Sequence, residues 1–447
     1  MKHSILFPHA ARASWIMLIL TWLLWAMNAI DREIMFRLQP AIVNTYHLSP
    51  SQWGYMMSAF FLAYALLALP AGIYADRLGR GWRRKISQVW YMVIFTISSA
   101  LIGIAGLSAH LWQFVLWRLF GLGSAGGAEV TNVAQCAEYW PREHRGFALG
   151  LHHTGYPIGA LLGGLACAGL LETFGPDKWR YVFLIIPLIG FVLAGLIWTY
   201  SNATTYAEVN AFARRHALTA PEDEAEAAPA SLAQQWQEIR AALGNRNVLV
   251  TVVCAALINF AQALGLWFLA SYTVFVMGKS DAAGAVAGVV PYITGWLGQL
   301  VWGAVSDRLG RRWTLVILSL WYATATLLLL SVSGMTSLWL VLLFWGGALN
   351  AVFPVYYAMM ADHAPKATGS AMGLLLMLVF LGTVPATPIG GLLIEHMGGW
   401  NHAQGYILGF AVATGAGVLA AALQALFTRD ARVPSATTAT LDKHALG

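Results

Sequence analysis

The chain has 447 residues, 58 % of them hydrophobic and 10 % charged, with a formal net charge of +6. A soluble domain carries about 25 % charged residues, so this composition excludes an ordinary water-soluble enzyme and points into a bilayer. The 20 Trp suit the same surroundings, since amphipathic rings settle at membrane–water interfaces.

Twelve apolar stretches follow one another, at 14–38, 52–75, 86–107, 110–138, 146–172, 179–200, 247–276, 283–306, 313–333, 336–361, 367–394 and 403–427. A helix needs roughly 20 such residues to cross the hydrocarbon core. Lys2 and Arg12 precede the first stretch as they would in a signal peptide. Its length and the lack of a small-residue cleavage site predict a retained first helix. Cys136, Cys167 and Cys254 all fall in apolar stretches; they give no disulfide framework or metal spacing and read as packing residues.

Asp-Arg-Leu-Gly-Arg occurs at Asp76–Arg80 and again at Asp307–Arg311, 231 residues on. Each copy closes an apolar stretch and is followed by further basic residues. The expectation is an all-α polytopic membrane protein, with twelve transmembrane helices in two pseudo-symmetric six-helix bundles at residues 1–200 and 247–430. Residues 201–246 form a cytoplasmic linker with an acidic run (Glu222, Asp223, Glu224, Glu226) that reads as solvated. An amphipathic helix is expected from Ser231 to Gly244, with Leu232, Trp236, Ile239 and Leu243 on one stripe. Residues 431–447 read as a disordered cytoplasmic tail.

With both termini inside, twenty Lys and Arg lie on the cytoplasmic side. Only Arg37, Lys178, Arg180 and Lys279 lie opposite, and Arg32 and Arg118 fall within the membrane. By the positive-inside rule this fixes the orientation. The positive charge is then topological and calls for no nucleic-acid partner.

Gly72 to Arg80 resembles the loop 2–3 signature of the major facilitator superfamily, and Gly303 to Arg312 its second-half echo. The resemblance implies two six-helix halves that rock about a midplane site, in keeping with the repeat logic of secondary transporters. Asp76, Arg77, Asp307 and Arg308 are then gating residues rather than substrate ligands, holding helix ends together through ion pairs and dipoles. Asn28-Ala29-Ile30-Asp31-Arg32, Pro40-Ala41-Ile42 and Ser58-Ala59-Phe60-Phe61 resemble the anion:cation symporters, which take up organic acids with protons. Gly126-Gly127-Ala128-Glu129 and Trp140-Pro141 through Arg145-Gly146 look closer to the sialate and lactate branch. Both branches move carboxylates.

Charge buried in a membrane persists where a cavity or a partner compensates it. Asp31 and Arg32 in the first stretch, and Arg118 and Glu129 in the fourth, are such charges. Asp31 is the leading proton carrier, or else a permanent ion-pair partner joining the two helices. Glu129 is a second carrier or a hydrogen-bonded structural carboxylate. It follows Arg118 by three helical turns, about 16 Å, on a similar face. Arg32 or Arg118 would meet a substrate carboxylate, since a guanidinium grips one bidentately. Asn132 and Gln135 continue the polar side, and Asn259, Gln262, Gln299, Asn350 and Tyr356 would face it from the second half, or serve as glue between helices. His152 and His153 read as interfacial. Gly155, Gly159 and Gly163 form a packing stripe. Pro157, Pro291, Pro354, Pro385 and Pro388 mark places where kinks are tolerated.

No His-Glu-x-x-His, phosphate loop or Gly-x-Ser-x-Gly elbow is present, so no enzyme, metal or cofactor is expected. The leading function is proton-coupled uptake of a small organic anion, a monocarboxylate or sugar acid, by a monomer in the inner membrane. The alternative is a proton antiporter exporting drug-like or amphipathic compounds. A transporter-like sensor is a third reading, disfavoured by the short linker.

Overall fold

The computed structural model describes residues 8–225, 237, 240–241, 243–363 and 368–430. Among the described residues every regular element is a helix. The first half holds α1 (Arg12–Arg37), α2 (Pro50–Leu78), α3 (Lys85–Gly103) and α4 (Leu111–Glu138). It is completed by α5 (Gly155–Phe174), entered through the short helix Arg145–His153, and by α6 (Arg180–Tyr200). The second half repeats the plan with α7 (Arg246–Leu266), α8 (Val290–Leu309) and α9 (Arg311–Leu328). Then come α10 (Met335–Leu349, carried on by Val352–His363), α11 (Thr368–His396) and α12 (Ala403–Phe427). The twelve-helix, two-bundle architecture read from the sequence is present.

Ten helical stretches are long and apolar enough to cross a membrane, and an eleventh is the pair bent by 46° within Asp281–Leu309. Helix α4 is not among them. Its glycines at 121, 123, 126 and 127, with Arg118, Glu129, Asn132 and Gln135, dilute its apolar character. It packs instead among α1, α2 and α3, where protein rather than lipid surrounds its polar groups. Large side chains such as Leu66, Trp90, Trp112, Val192 and Leu340 are exposed on the outside of the bundle, as a lipid-facing surface requires.

The repeated Asp-Arg-Leu-Gly string has a backbone cause. Gly79 follows α2 at φ +143° and Gly310 follows α8 at φ +90°. Each donates its N–H back into the last turn, to the carbonyls of Ala75 and Ser306. A side chain at either φ would be strained, so glycine closes the helix in both halves.

The helix α5 stripe lies against α1. A Cβ added at Gly159 would sit 2.3 Å from the Ala26 carbonyl oxygen, and one at Gly155 2.9 Å from that of Trp22. Such small-residue contacts let helix backbones approach closely in a membrane. Gly169, on the same helix, has open space around it. Gly159→Leu is therefore expected to destabilise the protein by about 1–3 kcal/mol through overpacking, whereas Gly169→Leu should be neutral. Thermal melting of the detergent-solubilised variants checks both.

Between the halves lies a helix the sequence did not announce, Ala203–Arg215. Asn202 caps it, its side chain accepting from the N–H groups of Thr204 and Thr205 at 3.0 Å. Glu208 on this helix accepts the Ala13 N–H at 3.2 Å, satisfying an open donor at the start of α1. Arg214 pairs with Glu222 at 3.4 Å and Asp223 at 3.1 Å, so the acidic run is partly paired. The expected helix at Ser231–Gly244 and the tail at 431–447 fall largely or wholly outside the described residues.

Candidate functional site

Neighbouring residues on a helix point about 100° apart, so Asp31 and Arg32 face different surroundings. Asp31 turns toward α3 and α4. Its Oδ2 accepts from Arg118 Nη1 at 2.6 Å, its carbonyl oxygen from Arg118 Nη2 at 2.6 Å, and its Oδ1 from the Ser99 hydroxyl at 2.7 Å. The Asp31 side chain is 1 % exposed and that of Arg118 0 %. This is a closed ion pair fastening α1 to α4. Arg118 has its fork occupied by the chain itself, which leaves Arg32 as the arginine available to a ligand.

Arg32 turns toward the space between the halves. Its side chain is 10 % exposed and that of its carboxylate partner Glu129 is 14 %; the two stand 3.9 Å apart. That separation is too long for a hydrogen bond, and Glu129 Oε2 has no hydrogen-bond partner. Rings surround the guanidinium: it lies over Tyr156 at 4.5 Å, with Phe380 at 5.5 Å and Tyr64 at 5.6 Å. Phe380 belongs to α11, so both halves contribute. Cation–π attraction helps hold the charge in place, and Nη1 donates to the Tyr64 hydroxyl at 3.5 Å.

Four of the other polar candidates are engaged elsewhere. Asn132 donates to the Thr21 carbonyl at 2.9 Å and meets His152 Nε2 at 3.0 Å. Gln135 donates to Ser201 at 3.2 Å. Asn259 donates to Ala255 on its own helix at 3.1 Å, and Gln262 accepts from Tyr322 at 3.3 Å. Gln299 Oε1, Asn350 Nδ2 and the Tyr356 hydroxyl are buried without a partner. His152 is fully buried and stacks near Trp25, with ring centroids 5.8 Å apart, so it is an interior residue rather than an interfacial one.

Sequence reasoning missed a second buried pair on α1. Glu33 accepts from Arg37 Nη2 at 2.6 Å and from the Tyr156 hydroxyl at 2.7 Å. Both charged side chains are buried, so Arg37, counted on the side opposite the cytoplasm, lies inside the protein. The four-residue spacing was the available signal.

At the end of the bundle away from the repeated turns, the halves are bolted together. Glu395 accepts from the Ser49 hydroxyl and the Ser51 N–H, both at 2.9 Å, and Trp400 donates to the Leu48 carbonyl at 2.9 Å. Trp267 stacks on Phe36 at 4.3 Å and on Phe61 at 4.6 Å. At the opposite end the charged turns hold helices within each half. Arg84 pairs with Glu138 at the end of α4. Arg311 pairs with Asp307 at 2.5 Å and with Asp362, at the end of α10, at 3.4 Å. Glu138 and Asp362 are matching partners in the two halves that the motif alone did not reveal. Arg77 and Arg308 are exposed, and the Asp76 side chain lies outside the described residues.

This pseudo-symmetric arrangement agrees with what known proteins show. Residues 15–291 and 252–445 match the Major Facilitator Superfamily. The chain belongs to that superfamily. Among curated relatives, a hexuronate transporter of Bacillus subtilis is 24 % identical over 66 % of this chain and 65 % of its own length. A gallate transporter of Pseudomonas putida is 30 % identical over 42 % of this chain and 40 % of its own. A probable galactarate/D-glucarate transporter of Escherichia coli is 24 % identical over 88 % and 89 %. The match thus spans less than two thirds of the first two relatives. Among solved structures, a bacterial homologue of the human lysosomal transporter Spinster superimposes with a TM-score of 0.73. It is 18 % identical, over 96 % of this chain and 100 % of that one. The xylose transporter XylE from E. coli gives 0.72 at 15 % identity, over 96 % and 99 %. These structures share the superfamily fold. The chain thus has the multi-pass helical architecture of that superfamily, and Arg32 with Glu129 lies where its two halves meet.

Proposed function

We propose that the protein takes up a small organic anion together with a proton across the inner membrane, by alternating access. Arg32 carries the reading. It is a guanidinium between the halves, steadied by rings, with a long contact to Glu129 and a 3.5 Å hydrogen bond to the Tyr64 hydroxyl. A substrate carboxylate can take its fork bidentately and displace Glu129. Without its counter-charge, and out of bulk water, Glu129 then takes up the proton. Glu129 is the coupling carboxylate in this scheme, and Asp31 holds α1 to α4. The named substrates of the relatives, hexuronate, gallate, galactarate and glucarate, are all organic acids, which supports the class.

The positive-inside bias puts both termini in the cytoplasm. The bolted end is then external. Asp307, Arg308, Arg77 and Asp76 belong to the inner turns, whose pairings change as the halves rock.

Internal pH in proteoliposomes loaded with a dye tests the proposal. Saturable acidification is expected with a subset of a panel of organic acids, after subtracting leakage into protein-free liposomes. Arg32→Gln should raise KM about tenfold or more, by removing charge-assisted hydrogen bonds worth about 1.5–3 kcal/mol. Acidification by no acid in the panel, with proton release on adding lipophilic cations, would replace this reading with proton antiport.

A further inference from the structure

Beside the first Asp-Arg-Leu-Gly-Arg turn, α2 and α3 enclose a cavity of about 270 Å³, lined by neither Arg32 nor Glu129. We propose that this cavity seats an acyl chain of an anionic phospholipid whose phosphate is held by Arg77 and Arg83. The inference goes beyond the transport reading and stands without it. An apolar wall on the outside of the bundle and an unmatched pair of charges at its rim carry it.

The wall is built from two helices. Tyr74 and Leu78, one turn apart on α2, line it with Ile86, Trp90, Tyr91 and Ile94 of α3. Tyr74, Trp90 and Ile94 are exposed, so the cavity opens outward, where a membrane protein meets hydrocarbon. The Tyr91 hydroxyl donates to the Ala71 carbonyl at 2.9 Å, which ties α3 to α2 and occupies that polar group. Tyr and Trp rings settle at the level of lipid headgroups, and Tyr74 and Trp90 stand within a few turns of the charged turn. An acyl chain entering here therefore has its headgroup beside that turn.

The charges stand at the same corner. Successive helical residues turn by about 100°, so Arg77, three after Tyr74, lies about 60° from it around α2. Arg83 precedes Ile86 by one turn, on the short helix Gly81–Arg84 that runs into α3. Its stem lies against Gly79, where an added Cβ would sit 2.5 Å from the Arg83 Cβ. Both arginines are exposed, and neither enters an ion pair among the described residues. The Arg83 guanidinium rests over Trp82 at 5.3 Å. Glu138 is engaged by Arg84 and by the Gly81 N–H at 2.8 Å. The second turn is matched differently. There Asp430, beyond α12, accepts the Arg312 N–H at 2.9 Å and packs on Gly310, while Arg311 pairs with Asp307 and Asp362. That turn takes its acids from the chain itself, whereas Arg77 and Arg83 are left for an acid from outside. A phosphate there gains charge-assisted hydrogen bonds, and each basic residue near an anionic leaflet is worth about fivefold in affinity.

Native mass spectrometry of the purified full chain tests this by titrating the first bound lipid, with melting curves to verify folding. The probes are phosphatidylglycerol, phosphatidylcholine of the same chain length, and glycerol phosphate. Phosphatidylglycerol is expected to bind about tenfold or more tighter than phosphatidylcholine, and glycerol phosphate not to bind. Arg77→Gln combined with Arg83→Gln should weaken phosphatidylglycerol about tenfold or more and leave phosphatidylcholine within about twofold. Ile94→Trp narrows the cavity and should weaken both lipids, while Arg308→Gln, at the turn of the other half, should change neither. Phosphatidylglycerol binding that is absent, or that survives either the paired arginine substitutions or Ile94→Trp in folded protein, overturns the proposal. Equal affinity for the two lipids overturns it as well, and glycerol phosphate binding as tightly as phosphatidylglycerol replaces the lipid with a free anion. None of these outcomes bears on the organic-anion reading, which the internal-pH assay decides.

Discussion

Arg118→Ala is expected to destabilise the protein by about 3–5 kcal/mol, the usual consequence of breaking a buried ion pair from one side. The reason lies in what is left behind. Asp31 is 1 % exposed, and without Arg118 its carboxylate keeps the Ser99 hydroxyl at a position shielded from bulk solvent. The Asp31 main-chain oxygen loses its guanidinium donor as well. Arg118→Lys should rescue little, since an ammonium cannot reach the carboxylate and the carbonyl with a rigid fork. Asp31→Leu combined with Arg118→Met should recover most of the stability, because apolar replacement of a whole buried pair is often neutral or better. Thermal melting in detergent reads all three. A melting point for Arg118→Ala equal to that of wild type would remove the structural role and return Asp31 to candidacy as the proton carrier.

Much of the fold was legible because membrane crossing leaves long apolar runs, and because a helix stop at positive φ demands glycine. Gly79 and Gly310 were visible as a repeated string for that reason, and the α5 glycines as a stripe. The pairing of charges was less legible. Asp31 and Arg32 are adjacent in sequence, and spacing cannot say which one faces the interior of its own half. Only the packing of α1 against α4 decides that Asp31 meets Arg118 and leaves Arg32 to Glu129. Arg37 sits at the end of an apolar run, where a charge normally marks the surface. Its burial follows from contact with the other half, where the guanidinium packs on Gly288, and such a contact has no signature in local sequence. Glu138 and Asp362 escaped notice because each lies far along the chain from the turn it serves, 54 residues from Arg84 and 51 from Arg311.

Glu129→Gln is expected to abolish proton-driven accumulation while leaving substrate exchange within about threefold of wild type. Glutamine keeps the size and hydrogen-bonding reach of the protonated acid but cannot give up the proton or oppose the Arg32 charge. Exchange of labelled for unlabelled substrate needs only the loaded carrier to cross, and a permanently neutral residue 129 leaves that step open. Net uptake needs the empty carrier to return after releasing its proton, and that step is lost. One pH unit is equivalent to about 1.4 kcal/mol, or tenfold accumulation for a single proton. Vesicles holding a one-unit gradient should therefore concentrate substrate about tenfold with wild type and not at all with the variant. Because Glu129 is held by one long contact to Arg32, its replacement should shift the melting point far less than Arg118→Ala does. Retained accumulation in Glu129→Gln would show that the coupling proton travels elsewhere. A loss of exchange as well, in protein that still melts normally, would make Glu129 part of the substrate grip instead.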